Sequence, residues 1–543
     1  MAKETGNFML YAWLSTSLIR HYPRTPRTER STLSITVARG QRMSFQAAFQ
    51  SDNGPVTVTA ESVESGGLPV EIRRIGYVPI PHLTTETPEE ELDGVDYLPG
   101  LAPEPLFPEQ SVTVGVRETH AFFVTLTIPV DVTPGEYPIT LRLTTDKGDE
   151  QTLTAHVHVH RAVQPRRQNF PVTHWFYLDS LFDWYKVEPF EERFWTIVEA
   201  YLKNLTTHLQ DVVYVSWLTP PLSGEHRPQQ LVGIQKDGDK YTFDWTHVRR
   251  WVNAARDAGL EYFEWAHIFT QWGVRCGTRI FAGHGETNEL LLPSDTGATS
   301  PDFRNFLSQL LPELHRFLLE ENILENSFFH VSDEPYKNDI PAYRAAREML
   351  RELAPWMQVM DATSDTEIAQ DNLMDIAIPE ISSWHKFKAA NIDSWCYFCC
   401  YPRGTFLNRF MDTPLAKLRM SGWLFYRTRV QGFLHWGYNY WYRDNTTELI
   451  DPFALSDAGL WPVWPCGDPF IVYPGVDGPI DGLRWEVFTE SLQDYALLQA
   501  SGISPDDPML VDIKGYDDFP KSEAWIEERR LVLLDRVAQR QGD

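Results

Sequence analysis

The apolar residues of this chain change their spacing near residue 165, and that change does most to limit the fold. Before it, polar and apolar residues alternate, as in Ser34-Ile35-Thr36-Val37, Val56-Thr57-Val58-Thr59 and the run from Thr152 to Val159. A period of two places every second side chain on one face, so these segments are half-buried strands. Turn formers fall between them at Asp52-Asn53-Gly54, Pro134-Gly135 and Lys147-Gly148-Asp149. The expectation is an antiparallel β-sandwich over residues 1–165, with 98–108 as a Pro-rich surface loop and 164–167 as a linker.

After the linker, short apolar runs alternate with amphipathic stretches. The clearest stretch has apolar residues at Phe190, Phe194, Ile197, Val198, Tyr201, Leu202 and Leu205, one face of a helix. Eight candidate strands follow in order, at 172–177, 212–217, 261–267, 327–332, 357–361, 375–379, 395–401 and 432–438. Helical segments at 245–258, 340–353, 414–428 and 485–499 separate several of them, which is the alternation of a (β/α)8 TIM-type barrel. The barrel is expected over 166–515, with a C-terminal helix packed on it in 516–543. The stretches 270–300 and 443–482 are too long for simple connections and read as loops over one barrel face.

Composition narrows the partners. Lys and Arg number 48 against 75 Asp and Glu, giving a formal charge of −27 on 543 residues. Such a surface repels nucleic-acid phosphates and anionic membranes, so no nucleic-acid partner is expected. No apolar run reaches the length of a membrane span, and the N-terminus lacks the pattern of an export signal. The expectation is a cytoplasmic protein without membrane insertion, and the Asn-X-Thr triplets at Asn204 and Asn445 are then incidental. The sequence leaves the oligomeric state open. Five cysteines imply no disulfide framework. Cys396-X-X-Cys399-Cys400 lacks a second ligand pair for a closed zinc site, so no metal and no cofactor are expected.

In a barrel of this kind, chemistry sits at the C-terminal strand ends. The fourth strand runs Phe328-Phe329-His330-Val331-Ser332 into Asp333-Glu334. Two adjacent carboxylates at a barrel mouth repel, so one should hold its proton while the other stays ionised, the division of labour used in glycoside hydrolysis. The competing reading makes Asp333 a helix cap and Glu334 a solvated first-turn acid. Around the pair, Trp175, Trp265, Trp384, Tyr397 and Trp436 fall near the same rim, as walls of a sugar subsite would, with His267, Asp361 and Asn439 as further substrate-binding candidates. Thirteen per cent of the residues are aromatic, with 19 Trp, which suits this reading. A carbohydrate substrate is expected.

The usual retaining mechanism needs a second carboxylate as nucleophile, and the seventh strand, Trp395 to Tyr401, offers none. A 2-acetamido group on the substrate can replace it by attacking C1 itself. Asp333 then orients the amide and Glu334 serves as general acid/base. Two alternatives stay open: a glycosidase pairing Glu334 with Asp361, Glu264 or Asp179, and a non-catalytic sugar-binding protein.

The Asp-Glu pair ending strand four, the segment Trp395-Cys396-Tyr397-Phe398-Cys399-Cys400 and the segment from Gly432 to Asn439, placed in a barrel behind a sandwich, resemble glycoside hydrolase family 123 and its bacterial relatives. The resemblance implies a β-N-acetylgalactosaminidase working by substrate assistance. It implies Asp333 as the amide-stabilising residue, Glu334 as acid/base, Tyr397 near the acetamido carbonyl and Trp436 against the sugar face.

Overall fold

A computed structural model describes residues 10–220, 228–335 and 337–542. The N-terminal segment read for an export signal begins in residues 1–9, outside the described residues. Ten strands build the first unit: β1 (Leu10–Thr16), β2 (Thr32–Arg39), β3 (Arg42–Ser51), β4 (Val56–Glu64), β5 (Val70–Ile80), β6 (Gly100–Phe107), β7 (Ser111–Val114), β8 (His120–Thr127), β9 (Gly135–Thr145) and β10 (Glu150–Val163). They form two five-stranded sheets, ordered β1-β3-β8-β5-β6 and β2-β10-β9-β4-β7. All pairings between named strands are antiparallel except β2 with β10, which run parallel. The Pro-rich segment expected to be a loop is instead β6. Its prolines are tolerated because β6 is an edge strand, where missing N–H donors leave no gap in a ladder.

The β8 sequence HAFFVTLT shows why this sheet is buried on both faces. Phe122, Val124 and Leu126 point into the sandwich core with Phe45, Phe49, Val58 and Leu141. Ala121 and Phe123 point the other way and pack with Trp13, Ala48, Ile75 and Leu106 against Leu483, which opens the helix Leu483–Ser501 of the second unit.

The second unit contains β11 (Val172–His174), β12 (Val212–Val215), the hairpin β13 (Gly233–Asp237) and β14 (Lys240–Asp244), β15 (Tyr262–Trp265), β16 (Ser327–Phe329), β17 (Met360–Ala362), β18 (Ile376–Ile378), β19 (Cys396–Tyr397) and β20 (Phe433–His435). Parallel ladders join β12 to β15, β15 to β16, β17 to β18, β19 to β20 and β20 to β11. Parallel bridges at Phe329–Val359, Ala377–Ser394 and Glu380–Tyr397 connect the remaining neighbours from β16 to β19. Each expected strand is present but shorter, because only the deepest residues of each apolar run keep ladder bonds. The helices Glu192–Thr207, Thr246–Ala258, Ile340–Leu353 and Leu483–Ser501 occupy the amphipathic stretches, and the expected helix over 414–428 is split into Leu415–Arg419 and Ser421–Thr428.

The last helix, Glu523–Gly542, lies beside both Leu483–Ser501 and the sandwich: Arg530 donates to Asp494 at 3.0 Å, and Val163 and Gln541 exchange hydrogen bonds. No described helix is long and apolar enough to cross a membrane.

Candidate active site

The chain leaves β16 at Phe329 and continues beside the segment after β15, with the Ile268 and Phe269 amides donating to the His330 and Val331 carbonyls at 3.1 Å each. The Ser332 hydroxyl donates to the Thr270 carbonyl at 2.8 Å, and the Trp272 amide to the Asp333 carbonyl at 3.1 Å. Glu334 takes a left-handed backbone conformation, with φ 44°. A non-glycine residue there is strained by roughly 1–2 kcal/mol, held in place by the surrounding contacts.

The two side chains enter a cavity of about 310 Å³ walled by Trp175, Tyr177, Trp272, Tyr397, Trp436 and Trp464, with Cys399 and Cys400 along one side. Gln271 Nε2 donates to Asp333 Oδ2 at 2.9 Å, and the Tyr397 hydroxyl donates to Glu334 Oε1. Burial and the neighbouring Glu334 charge push the Asp333 carboxyl up to about 7, against the Gln271 hydrogen bond. Burial also raises Glu334; the Tyr397 bond opposes that shift and the Glu380 charge adds to it. Near neutral pH the pair therefore holds a proton, supplying a donor and an anion side by side.

Beneath the pair lies a fully buried ionic row. Glu264 Oε1 accepts from Trp175 Nε1 at 2.6 Å and from His330 Nε2 at 2.7 Å, while Oε2 accepts from the Thr173 hydroxyl. The other His330 nitrogen, Nδ1, meets Asp361 Oδ1 at 3.1 Å. Asp361 also accepts from the amides of Val331 and Ser332 and from the Tyr343 hydroxyl. Burial works against charge on His330, but the Asp361 and Glu264 bonds outweigh it and lift the imidazolium to about 9.

Of the residues expected from sequence, the structure brings Asp333, Glu334, Trp175, Tyr397 and Trp436 to one cavity. Five others do not reach it. Trp265 follows the inward-facing Glu264 and so points outward, stacked on Phe329 at 5.9 Å and edge-on to Trp217. Trp384 opens a short helix beyond β18, where its Nε1 donates to the Thr428 carbonyl. His267 is buried and stacked on His330 at 4.2 Å, and burial drives its ring well below the usual imidazole value. Asp361 is covered by the bonds just described. The Asn439 amide clasps Tyr177, accepting from its N–H at 2.9 Å and donating to its carbonyl at 3.0 Å.

Sequence reasoning missed Gln271, Trp272 and Trp464, although all three lie in the two stretches that were too long to be simple connections. Their signal was an aromatic or amide side chain within such a stretch. His330 was also missed; a polar residue inside an apolar strand needs a buried partner, and that requirement was its signal. Trp436 packs tilted against Trp464, ring centroids 4.9 Å apart at 49°, and donates through Nε1 to the buried Asp468 at 3.2 Å. His267, His330 and Asp361 cluster closely enough to suggest a metal, but both His330 nitrogens already face carboxylates, so the donor set does not suit one.

The family model of the glycoside hydrolase 123 catalytic domain matches residues 175–501, which contain every cavity residue named above. The chain belongs to glycoside hydrolase family 123. This family 123 hydrolase shares its fold with a solved family 123 glycoside hydrolase from Clostridium perfringens, studied for glycolipid glycan hydrolysis: TM-score 0.74 at 15% identity, covering 98% of each chain. A Bacteroides ovatus GH5 xyloglucanase aligns over 87% of this chain and 99% of its own at 11% identity, with a TM-score of 0.30. A GH10 xylanase from termite gut aligns over 86% and 100% at 9% identity, also with a TM-score of 0.30. No curated protein matches the sequence.

Proposed function

We propose that this hydrolase is a retaining, exo-acting enzyme that removes terminal β-linked 2-acetamido sugars, N-acetylgalactosamine foremost, by substrate-assisted catalysis. In the same reading, the parallel series from β12 through β20 to β11 closes as a (β/α)8 barrel, with the pair at its mouth. Glu334 protonates the leaving oxygen and then activates water. Asp333 holds the acetamido N–H and stabilises the oxazolinium-like intermediate, Tyr397 lies near the acetamido carbonyl, and Trp436 backs the sugar face.

One observation carries this reading. Among the described residues, the carboxylates lining the cavity are Asp333 and Glu334 alone, and they are neighbours in the chain. A carboxylate nucleophile across the sugar from the acid is what the usual retaining route needs, about 5 Å away. Of the three distant candidates, Glu264 and Asp361 are fully buried and occupied by hydrogen bonds, and Asp179, buried beyond Tyr177, does not line the cavity. The acetamido oxygen then fills the nucleophile's place. By analogy with the Clostridium perfringens relative, the glycan of a glycolipid is the substrate class to try first.

The test is hydrolysis of matched aryl β-glycosides of N-acetylgalactosamine, N-acetylglucosamine, galactose and glucose. Wild type should cleave only the acetamido sugars, and Glu334→Gln should lose about 10²–10⁴-fold in turnover. Comparable turnover of a plain hexoside would overturn substrate assistance.

A further inference from the structure

We propose that Glu264, His330 and Asp361 form a positioning relay that ties the aromatic wall of the cavity to the backbone carrying the carboxylate pair. This rests on Asp333 and Glu334 being the reacting groups. The relay is a continuous series of contacts. Trp175, whose ring lines the cavity, donates its Nε1–H to Glu264 Oε1 at 2.6 Å, and the same oxygen accepts from His330 Nε2 at 2.7 Å. His330 passes through Nδ1 to Asp361 Oδ1 at 3.1 Å. Asp361 takes the amides of Val331 at 3.1 and 3.2 Å and Ser332 at 3.4 Å. Those two residues immediately precede Asp333. A displacement of the wall and a displacement of the pair are thus opposed by the same buried groups.

The side chains of the three members are at most 1% exposed, so none touches substrate. The row carries two carboxylates and one imidazolium. Placing one cation between two anions in a buried row is favourable only if the hydrogen bonds are complete, as they are here. The groups facing His330 are Glu264 from β15, Asp361 from β17, the stacked His267 ring at 4.2 Å, and, just after β11, the Trp175 ring edge at 5.9 Å. Tyr343 reaches the row through its hydroxyl bond to Asp361. Of these, Glu264 and Asp361 stabilise the imidazolium, while burial keeps His267 neutral.

On Asp333, burial and the Glu334 and Asp361 charges disfavour the ionised form, while the Gln271 hydrogen bond and the His330 imidazolium favour it. Replacing His330 by a neutral residue removes that assistance. Asp333 then needs a higher pH to ionise, so the acidic limb of the pH–rate profile moves upward.

The experiment measures pH–rate profiles of wild type, His330→Gln and Glu264→Gln, on whichever glycoside the wild type hydrolyses fastest, beside thermal unfolding of each. His330→Gln should move the acidic limb up by about one pH unit. Glu264→Gln sets an amide NH₂ or a weaker acceptor against Trp175, and should raise KM several-fold more than it lowers kcat. Infrared difference titration of wild type against Asp333→Asn, repeated in the His330→Gln background, reads the same carboxyl without turnover and should show the same upward shift. A folded His330→Gln protein with an unmoved limb and an unmoved Asp333 titration overturns the relay. If a plain hexoside proves the best substrate and the limb still moves, substrate assistance falls while the relay stands.

Discussion

Asp333 is the residue at which the proposed catalytic role and stability pull apart. Its folded-state value near 7 lies above the ordinary carboxylate value, so the folded protein binds more protons than the unfolded chain between about pH 4 and 7. Stability is therefore lost as pH rises through that window, and the loss is complete above it. Asp333→Asn cannot ionise and should be spared. The variant is expected to be more stable than wild type by roughly a few kcal/mol at pH 8 and to differ little at pH 4, as read by urea unfolding at both values. Turnover of N-acetyl substrates should fall sharply in the same protein, and near-normal rates would sink the assigned role. At this scale the pair itself was legible, because two acids ending an apolar strand have few structural uses. The direction of neighbouring side chains was less so: Trp265 and Glu264 are adjacent, and only the strand's register decides which faces inward.

At the scale of elements, the order of strands and helices could be read because apolar runs and amphipathic stretches differ in period. Their ends could not, since β19 spans two residues and β16 three, and the rest of each apolar run continues as irregular chain. The edge strand β6 was misread because proline frequency marks loops and edges alike. Packing between helices was also hidden. Gly422, in the helix Ser421–Thr428, sits where an added Cβ would lie 1.9 Å from the Ser491 carbonyl of Leu483–Ser501. The obstacle is backbone within a helix and has little freedom to retreat. Gly422→Ala should push the two helices apart and cost about 1–3 kcal/mol or more, measured by thermal or urea unfolding. An unchanged midpoint would mean that this helix pair has slack the contact does not show.

The whole molecule is held together by a buried ionic seam between its two units. Glu486 accepts from Arg42 at 2.7 Å and from Arg73, which also reaches Asp481 at 2.6 Å. Burial opposes the Glu486 charge, yet Arg42 and Arg73 outweigh it and hold its carboxyl well below the usual range. Nearby, Arg484 meets Glu104 of β6 at 2.8 Å. Glu486→Ala would strand two arginines in a buried interface and should destabilise the protein by about 3–5 kcal/mol. Unfolding followed by tryptophan fluorescence and by circular dichroism should shift together; loss of the sandwich alone would show that the seam does not couple the units. None of this could be read in the sequence, where Arg42 and Glu486 are 444 residues apart. The doubly buried sheet carries a consequence for descent. Because Phe123 and Ala121 close over Leu483 on one face while Phe122 and Val124 fill the sandwich on the other, neither unit has a finished surface of its own at that boundary. A lineage could not exchange its sandwich for an unrelated module by shuffling gene segments without rewriting the first turns of the Leu483–Ser501 helix in the same step.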